Sequence, residues 1–292
     1  MQAQRTDASG GARETELSEQ AMGKTTTGSL NALEHAVLLR DGKILDMVRR
    51  AIQHRQVILA FQPVVQACPP CQPAFQEGLI RVLDETGRVI PAADFMDAVE
   101  ETEYGRMLDC IALEQGLAEL ARVPDLRLAI NMSARSIGYQ KWMAVLHRGL
   151  DQDPTVAERL ILEITEHSAM LVPELVITFM DDMQSRGITF AIDDFGSGYT
   201  ALRHFKEFSF DILKIDGEFC RGIALDPDNQ VLVAAIVRIA EQFDMFTVAE
   251  NVETEADAEC LRGLGLDCLQ GYFLAAPSIT PAWREATERK LA

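Results

Sequence analysis

The chain has 292 residues, 48% apolar and 25% charged, and its 27 basic against 45 acidic side chains leave a net charge of −18. This balance suits one large or two ordinary globular domains, and it argues against non-specific binding to duplex nucleic acid or anionic membrane, which need basic patches. There is no membrane-length apolar run, no basic-then-apolar leader and no disulfide-type cysteine spacing, so the expected location is the cytoplasm.

Residues 1–31 are rich in Ser, Thr, Gly, Glu and Gln without apolar period, and read as a disordered tail or linker through which a regulatory protein could act. A domain is expected over 32–292. Ile44, Leu45, Val48 and Ile52 share one helical face, predicting an amphipathic helix over "ILDMVRRAIQ". Apolar, β-branched runs then recur at 57–65, near 75–82, and at 126–132, 159–165, 188–194, 211–216, 245–250 and 266–271. Helical patterns separate most of them, among them Glu174 to Arg186, Asn229 to Phe243 and Glu255 to Leu264. About eight strand–helix units predict a closed α/β barrel of the (β/α)8 type with a mainly parallel sheet. Neither a Gly-rich dinucleotide fingerprint nor a phosphate-binding Walker loop interrupts them.

Polar residues close these runs: Asn131, Glu163, the pair Asp193 and Asp194, Lys214 with Asp216, Glu250 and Gln270, while Glu77 sits in the run with the least clear limits. Strand ends of a barrel gather on one face, where active sites are built. One acid at a strand end is ordinarily a helix cap or a solvated loop residue. A whole rim of uncompensated acids has no such structural use. Carboxylates and an amide oxygen, without His or Cys, suit Mg2+ or Mn2+, and two such ions about 3.5–4 Å apart can activate water for attack at phosphorus. Neighbouring strand residues face opposite ways, so "DDFGSG" is expected to end its strand at the Asp pair, with Gly196 and Gly198 turning both carboxylates inward. Cys68-Pro-Pro-Cys71 lacks the further ligands of a zinc site and reads as a rigid turn.

"FQPVV", "EGLIR", "NMSARSI", "LEITE", "IDDFGSGYTAL", "LKIDGEF", "AENVET" and "LQGYFLAAP" occur in the order found in the EAL domain, a bacterial cyclic di-GMP phosphodiesterase domain that the chain resembles from about Leu39 to Pro277. The resemblance implies a modified TIM-like barrel with one antiparallel strand. It implies that Glu77, Asn131, Glu163 and Asp193 ligate one metal, and that Asp193 is shared with a second, to which Asp194 and Glu250 contribute along with the nucleophilic water. Lys214 is similar to the lysine that positions that water, and Asp216, Glu253 and Gln270 match supporting positions. Glu166 resembles the acid that anchors the "DFGSGY" loop, a segment tied to dimerisation and metal binding. Gln62, Leu79 and Arg81 match substrate contacts. The implied reaction is hydrolysis of cyclic di-GMP to linear pGpG with two Mg2+ or Mn2+ ions, Ca2+ being inhibitory, in a homodimer. Gly78 departs from the alanine of the naming motif, a change expected to loosen the strand. The alternative reading is a non-catalytic cyclic di-GMP receptor that signals through a protein partner. Retention of Glu77, Asn131, Glu163, Asp193, Asp194, Lys214, Glu250 and Gln270 favours the enzyme.

Overall fold

Runs of apolar and β-branched residues that can be buried on both faces become strands. The computed structural model describes residues 32–198 and 206–284, so the tail expected at 1–31 lies outside the described residues. By its contacts the chain divides between Arg40 and Asp41, and the helix Ala32–Gln53 runs across that division. The second unit holds the sheet: β1 (Val57–Gln66), β2 (Pro73–Leu83), β3 (Val89–Pro91), β4 (Leu128–Asn131), β5 (Leu160–Thr165), β6 (Thr189–Phe195), β7 (Ile212–Ile215), β8 (Phe246–Ala249) and β9 (Cys268–Leu269). All eight expected strands are present, and the short β3 is an addition.

The order β1-β9-β8-β7-β6-β5-β4-β2, with β1 also paired to β2, closes an eight-stranded barrel, while β3 extends β2 beyond it. Pairings from β2 through β4 to β9 are parallel, and β1 is antiparallel to both β2 and β9, so β1 is the reversed strand. Helices cross between the parallel strands with ordinary start and stop signals. Asp226 caps Pro227–Gln242 by accepting from Asp228 and Asn229 N–H, and Thr254 caps Glu255–Leu264, which ends at left-handed Gly265. Among the described residues no helix is long and apolar enough to cross a membrane.

The barrel interior contains a distinct apolar layer: Val64, Phe75, Ala129, Ile161, Ala191, Ile212, Val248 and Cys268. Each barrel strand supplies one member. Small and large side chains mix within it, as the tapering space requires. This layer is the floor on which the site stands.

Candidate functional site

Strand side chains alternate, so the residue two positions beyond a floor residue points into the same interior, one layer higher. On seven strands, two residues toward the C-terminus give Glu77, Asn131, Glu163, Asp193, Lys214, Glu250 and Gln270. On the reversed β1 the same step runs backwards, from Val64 to Gln62. The eight polar residues read from the strand runs and motifs are thus one layer of the barrel. Glu77 lies mid-strand because β2 continues to Leu83, and it registers with Ala129, the second of the four residues of β4.

Lys214 sits at the centre, with no exposed surface. Its Nζ lies 2.8 Å from Glu250 Oε1, 2.9 Å from Asp193 Oδ1, 3.0 Å from Glu163 Oε2 and 3.5 Å from Glu77 Oε2. Burial alone would strip the ammonium of its proton, but the surrounding carboxylates win and hold its pKa well above the usual lysine value. Counting Asp194, five carboxylates face this one ammonium, so further protons or cations must balance the excess. Burial and the repulsion of neighbouring acids raise Glu163 and Glu250 well above the carboxylate range, against the pull of Lys214. Glu77 is also buried, but Lys214 and hydrogen bonds from Gln270 and Asn131 bring it below its usual value. Gln270 Nε2 donates to Glu77 Oε2 at 2.6 Å and Asn131 Nδ2 donates to Glu77 Oε1 at 2.7 Å.

Among the described residues three buried oxygens lack a hydrogen-bond donor: Glu163 Oε1, Gln270 Oε1 and Asp193 Oδ1, the last lying close to Nζ without hydrogen-bond alignment. Orphaned buried acceptors are costly unless something positive meets them. Carboxylate oxygens of Glu77, Glu163 and Asp193 lie within 4.8 Å of one another, and so do those of Asp193, Asp194 and Glu250. The two groups share Asp193. All their donors are hard oxygens, and with the Asn131 amide alongside they fit a pair of Mg2+ or Mn2+ ions.

The Asp pair reaches the site differently from expectation. β6 continues to Phe195, its register against β7 slips between Ile192 and Phe195, and Asp194 itself takes the left-handed conformation at φ 54°. A bulge at Asp194, together with left-handed Gly196, therefore sets the direction of the second carboxylate, which Gly196 and Gly198 alone were expected to do. Glu166 is buried and its Oε2 accepts from Gly196 N–H at 3.0 Å. Tyr199 of the "DFGSGY" loop lies outside the described residues.

Above the polar layer opens a cavity of about 490 Å³, with Gln62, Leu79, Arg81, Asn131, Asp194 and Glu250 in its walls. Asp216 and Glu253 do not line it. Asp216 caps the short helix Gly217–Cys220 and adds repulsion on Asp194, while Glu253 pairs with Arg221 at 3.1 Å. The sequence reading missed Asp109 and Asn251, which do line the cavity. Asp109 belongs to the helix Glu103–Arg122, and its Oδ2 accepts from Ser133 N–H and Ser136 Oγ. Burial pushes its pKa up to about 6. An acid beside buried Leu108, Ala112 and Leu113 was the available signal. Gly78 leaves no void: a Cβ there would stand 2.7 Å from Ile130 Cδ1. Cys68 and Cys71 are both exposed in the β1–β2 connection.

The chain matches the family model of the EAL domain over residues 45–277. It is 31% identical over 253 residues to the bifunctional diguanylate cyclase/cyclic di-GMP phosphodiesterase MucR of Pseudomonas aeruginosa, a match covering 85% of this chain and 36% of that protein. It is 29% identical over 238 residues to the cyclic di-GMP phosphodiesterase PdeF of Escherichia coli, with 80% and 32% covered. The chain thus spans about a third of the length of these relatives. Among solved structures, the PaMucR phosphodiesterase in complex with c-di-GMP superposes with a TM-score of 0.72 at 31% identity, covering 83% of this chain and 99% of that one.

Proposed function

Because the chain belongs to the EAL domain family, we propose that it is a phosphodiesterase that hydrolyses cyclic di-GMP to linear pGpG with two bound Mg2+ or Mn2+ ions. The observation that carries this reading is the layer of acids around Lys214, with orphaned oxygens, at the base of an open cavity. Glu77, Asn131, Glu163 and Asp193 would hold one ion, and Asp193, Asp194 and Glu250 the other. When bound, the ions supply Lewis acidity at a phosphoryl oxygen and a water acidified enough to attack.

The chain's own side chains do the rest. Lys214 keeps its proton, so it donates to the attacking water and orients it. Glu250 and Asp194 stand where that water's proton can be taken. Arg81 meets the phosphodiester, Leu79 offers an apolar surface to a base, and Gln62 with Gln270 steadies Glu77. Asp109 Oδ1, without a hydrogen bond among the described residues, suits the N–H donors along a guanine edge. Asp216, Glu253 and Glu166 support the loops around the site. Ca2+, less exacting in geometry, is expected to bind without supporting cleavage. The reading includes a homodimer and a regulatory protein engaging residues 1–31.

A time course of purified protein with cyclic di-GMP and Mg2+ or Mn2+, with products separated by chromatography, tests it. Linear dinucleotide should appear with either ion, and should be absent with Ca2+ or in Glu77→Ala. Binding without product would transfer the protein to the receptor class. Wild-type rates in Glu77→Ala would remove that residue from the ligand set.

A further inference from the structure

The loop after β8 carries Glu250 and then Asn251, and it is held tightly. Val252 N–H donates to Gln270 O at 3.0 Å and Val252 O accepts from Phe273 N–H at 3.0 Å, which ties the loop to the segment beyond β9. Asn251 takes the left-handed conformation, φ 51°, which Asn tolerates better than most side-chain-bearing residues. Its side chain lies against Gly217. A Cβ built on Gly217 would stand 2.6 Å from Asn251 Cγ and 2.7 Å from its Cβ, closer than real Cβ atoms approach, and it would also collide with Nδ2. Gly217 is not among the positive-φ glycines, so glycine is required there for room and not for conformation.

Asn251 also lines the cavity. Its carboxamide makes no hydrogen bond among the described residues, although it is wedged in place by backbone on one side. The neighbouring wall is acidic, through Asp194 and Glu250. A neutral N–H donor there can meet an anionic or hydroxyl oxygen without exchanging a proton with those acids. The residue is solvent-exposed and seated on one side against Gly217, so its donor is free to meet a ligand oxygen and its backbone is already in place.

Resting on the reading of this cavity as the cyclic di-GMP site, we propose that Asn251 is a substrate-contacting residue whose carboxamide N–H donates to an oxygen of the ligand's sugar–phosphate backbone. Gly217 is its positioning residue, since any side chain there displaces the amide.

Four variants test this: Asn251→Gly, Asn251→Asp, Gly217→Ala and the double variant Gly217→Ala/Asn251→Gly. The readouts are kcat and KM for cyclic di-GMP with Mg2+, Kd by calorimetry with Ca2+ in place of Mg2+, and Tm. Asn251→Gly should raise KM and Kd roughly three- to tenfold, the size of one neutral hydrogen bond, with kcat within about twofold. Asn251→Asp should raise them further, because a carboxylate replaces the donor. Gly217→Ala should raise KM and lower Tm. The double variant should recover Tm and match Asn251→Gly in KM, because the added methyl then meets no amide. Wild-type KM and Kd in Asn251→Gly, or KM effects that multiply in the double variant, would overturn the assignment while leaving the functional reading intact. A wild-type chain that neither binds nor cleaves cyclic di-GMP would overturn both.

Discussion

Asp194 stands between two demands. Burial first, and then the charge of Asp193, push its pKa from 3.8 up to about 6 in the ion-free protein. A carboxyl whose folded pKa lies above its unfolded value favours folding at low pH, and that contribution is lost as pH rises through the folded pKa. The ion-free protein should therefore lose stability between about pH 4 and pH 6 through this group. Asn at 194 tolerates the same left-handed backbone but neither repels Asp193 nor titrates. Asp194→Asn in EDTA at pH 7 should raise Tm by about 2–4 °C, while metal-dependent turnover falls roughly 100-fold or more; a variant that melts below wild type would contradict the repulsion. Lys214 makes the complementary case. Removing one partner from a buried charge cluster costs about 3–5 kcal/mol, so ion-free Lys214→Ala should be strongly destabilised, and added Mg2+ should raise its Tm more than that of wild type. Its kcat should fall far more than its affinity for cyclic di-GMP, and equal metal-induced shifts in both proteins would argue against ions replacing the ammonium. These residues were legible because polarity at the end of an apolar run is conspicuous. Asp109 was not, because it projects from a helix, and Asn251 was not, because its role depends on the space left by a glycine 34 positions earlier.

At the level of the element, the site follows from the period of two. Each strand places one floor residue and one polar residue above it, so the layer was readable strand by strand once the runs were found. The bulge at Asp194 was not readable, since neither Asp nor the following glycines specify which residue takes the positive φ. Gly78 shows how packing alters a sequence-level expectation. The methyl missing from the naming motif was expected to loosen β2, but Ile130 Cδ1 occupies that space, and the same atom also stands 2.7 Å from where a Gly116 Cβ would be. Gly78→Ala should consequently destabilise the protein by about 1–3 kcal/mol through overpacking. Ile130→Val should relieve part of that cost when the two are combined, measured by urea denaturation. Strictly additive losses would show that Ile130 is not the atom in the way. Ile130 immediately precedes Asn131, so the strain should also weaken metal-induced stabilisation.

Across the molecule, closure of the barrel was legible from the alternation of strands and helices, but that one strand is reversed came only through the family resemblance, and that it is β1 only from the pairing. An apolar run reads the same whichever way it is threaded, and the limits of β2, which would have shown the connection to be too short for a parallel crossover, were unclear. The net charge of −18 has its own effect at this scale. An anionic dinucleotide approaches an acidic protein against its field, so kcat/KM at fixed free Mg2+ should rise as NaCl goes from about 20 to 150 mM; a fall would indicate that local attraction at Arg81 outweighs the global field. The reversed strand also sets a timetable for synthesis. β1 pairs with β2 along nearly its whole length within one hairpin, whereas its other edge pairs through Val65 with Leu269, Gln66 with Cys268 and Phe61 with Ser278. Those partners lie about 200 residues downstream, which at ribosomal speed means a wait of roughly 10–40 s. Throughout that interval the nascent chain carries an apolar strand with one unfilled edge, which closes when β9 and Ser278 beyond it have been made.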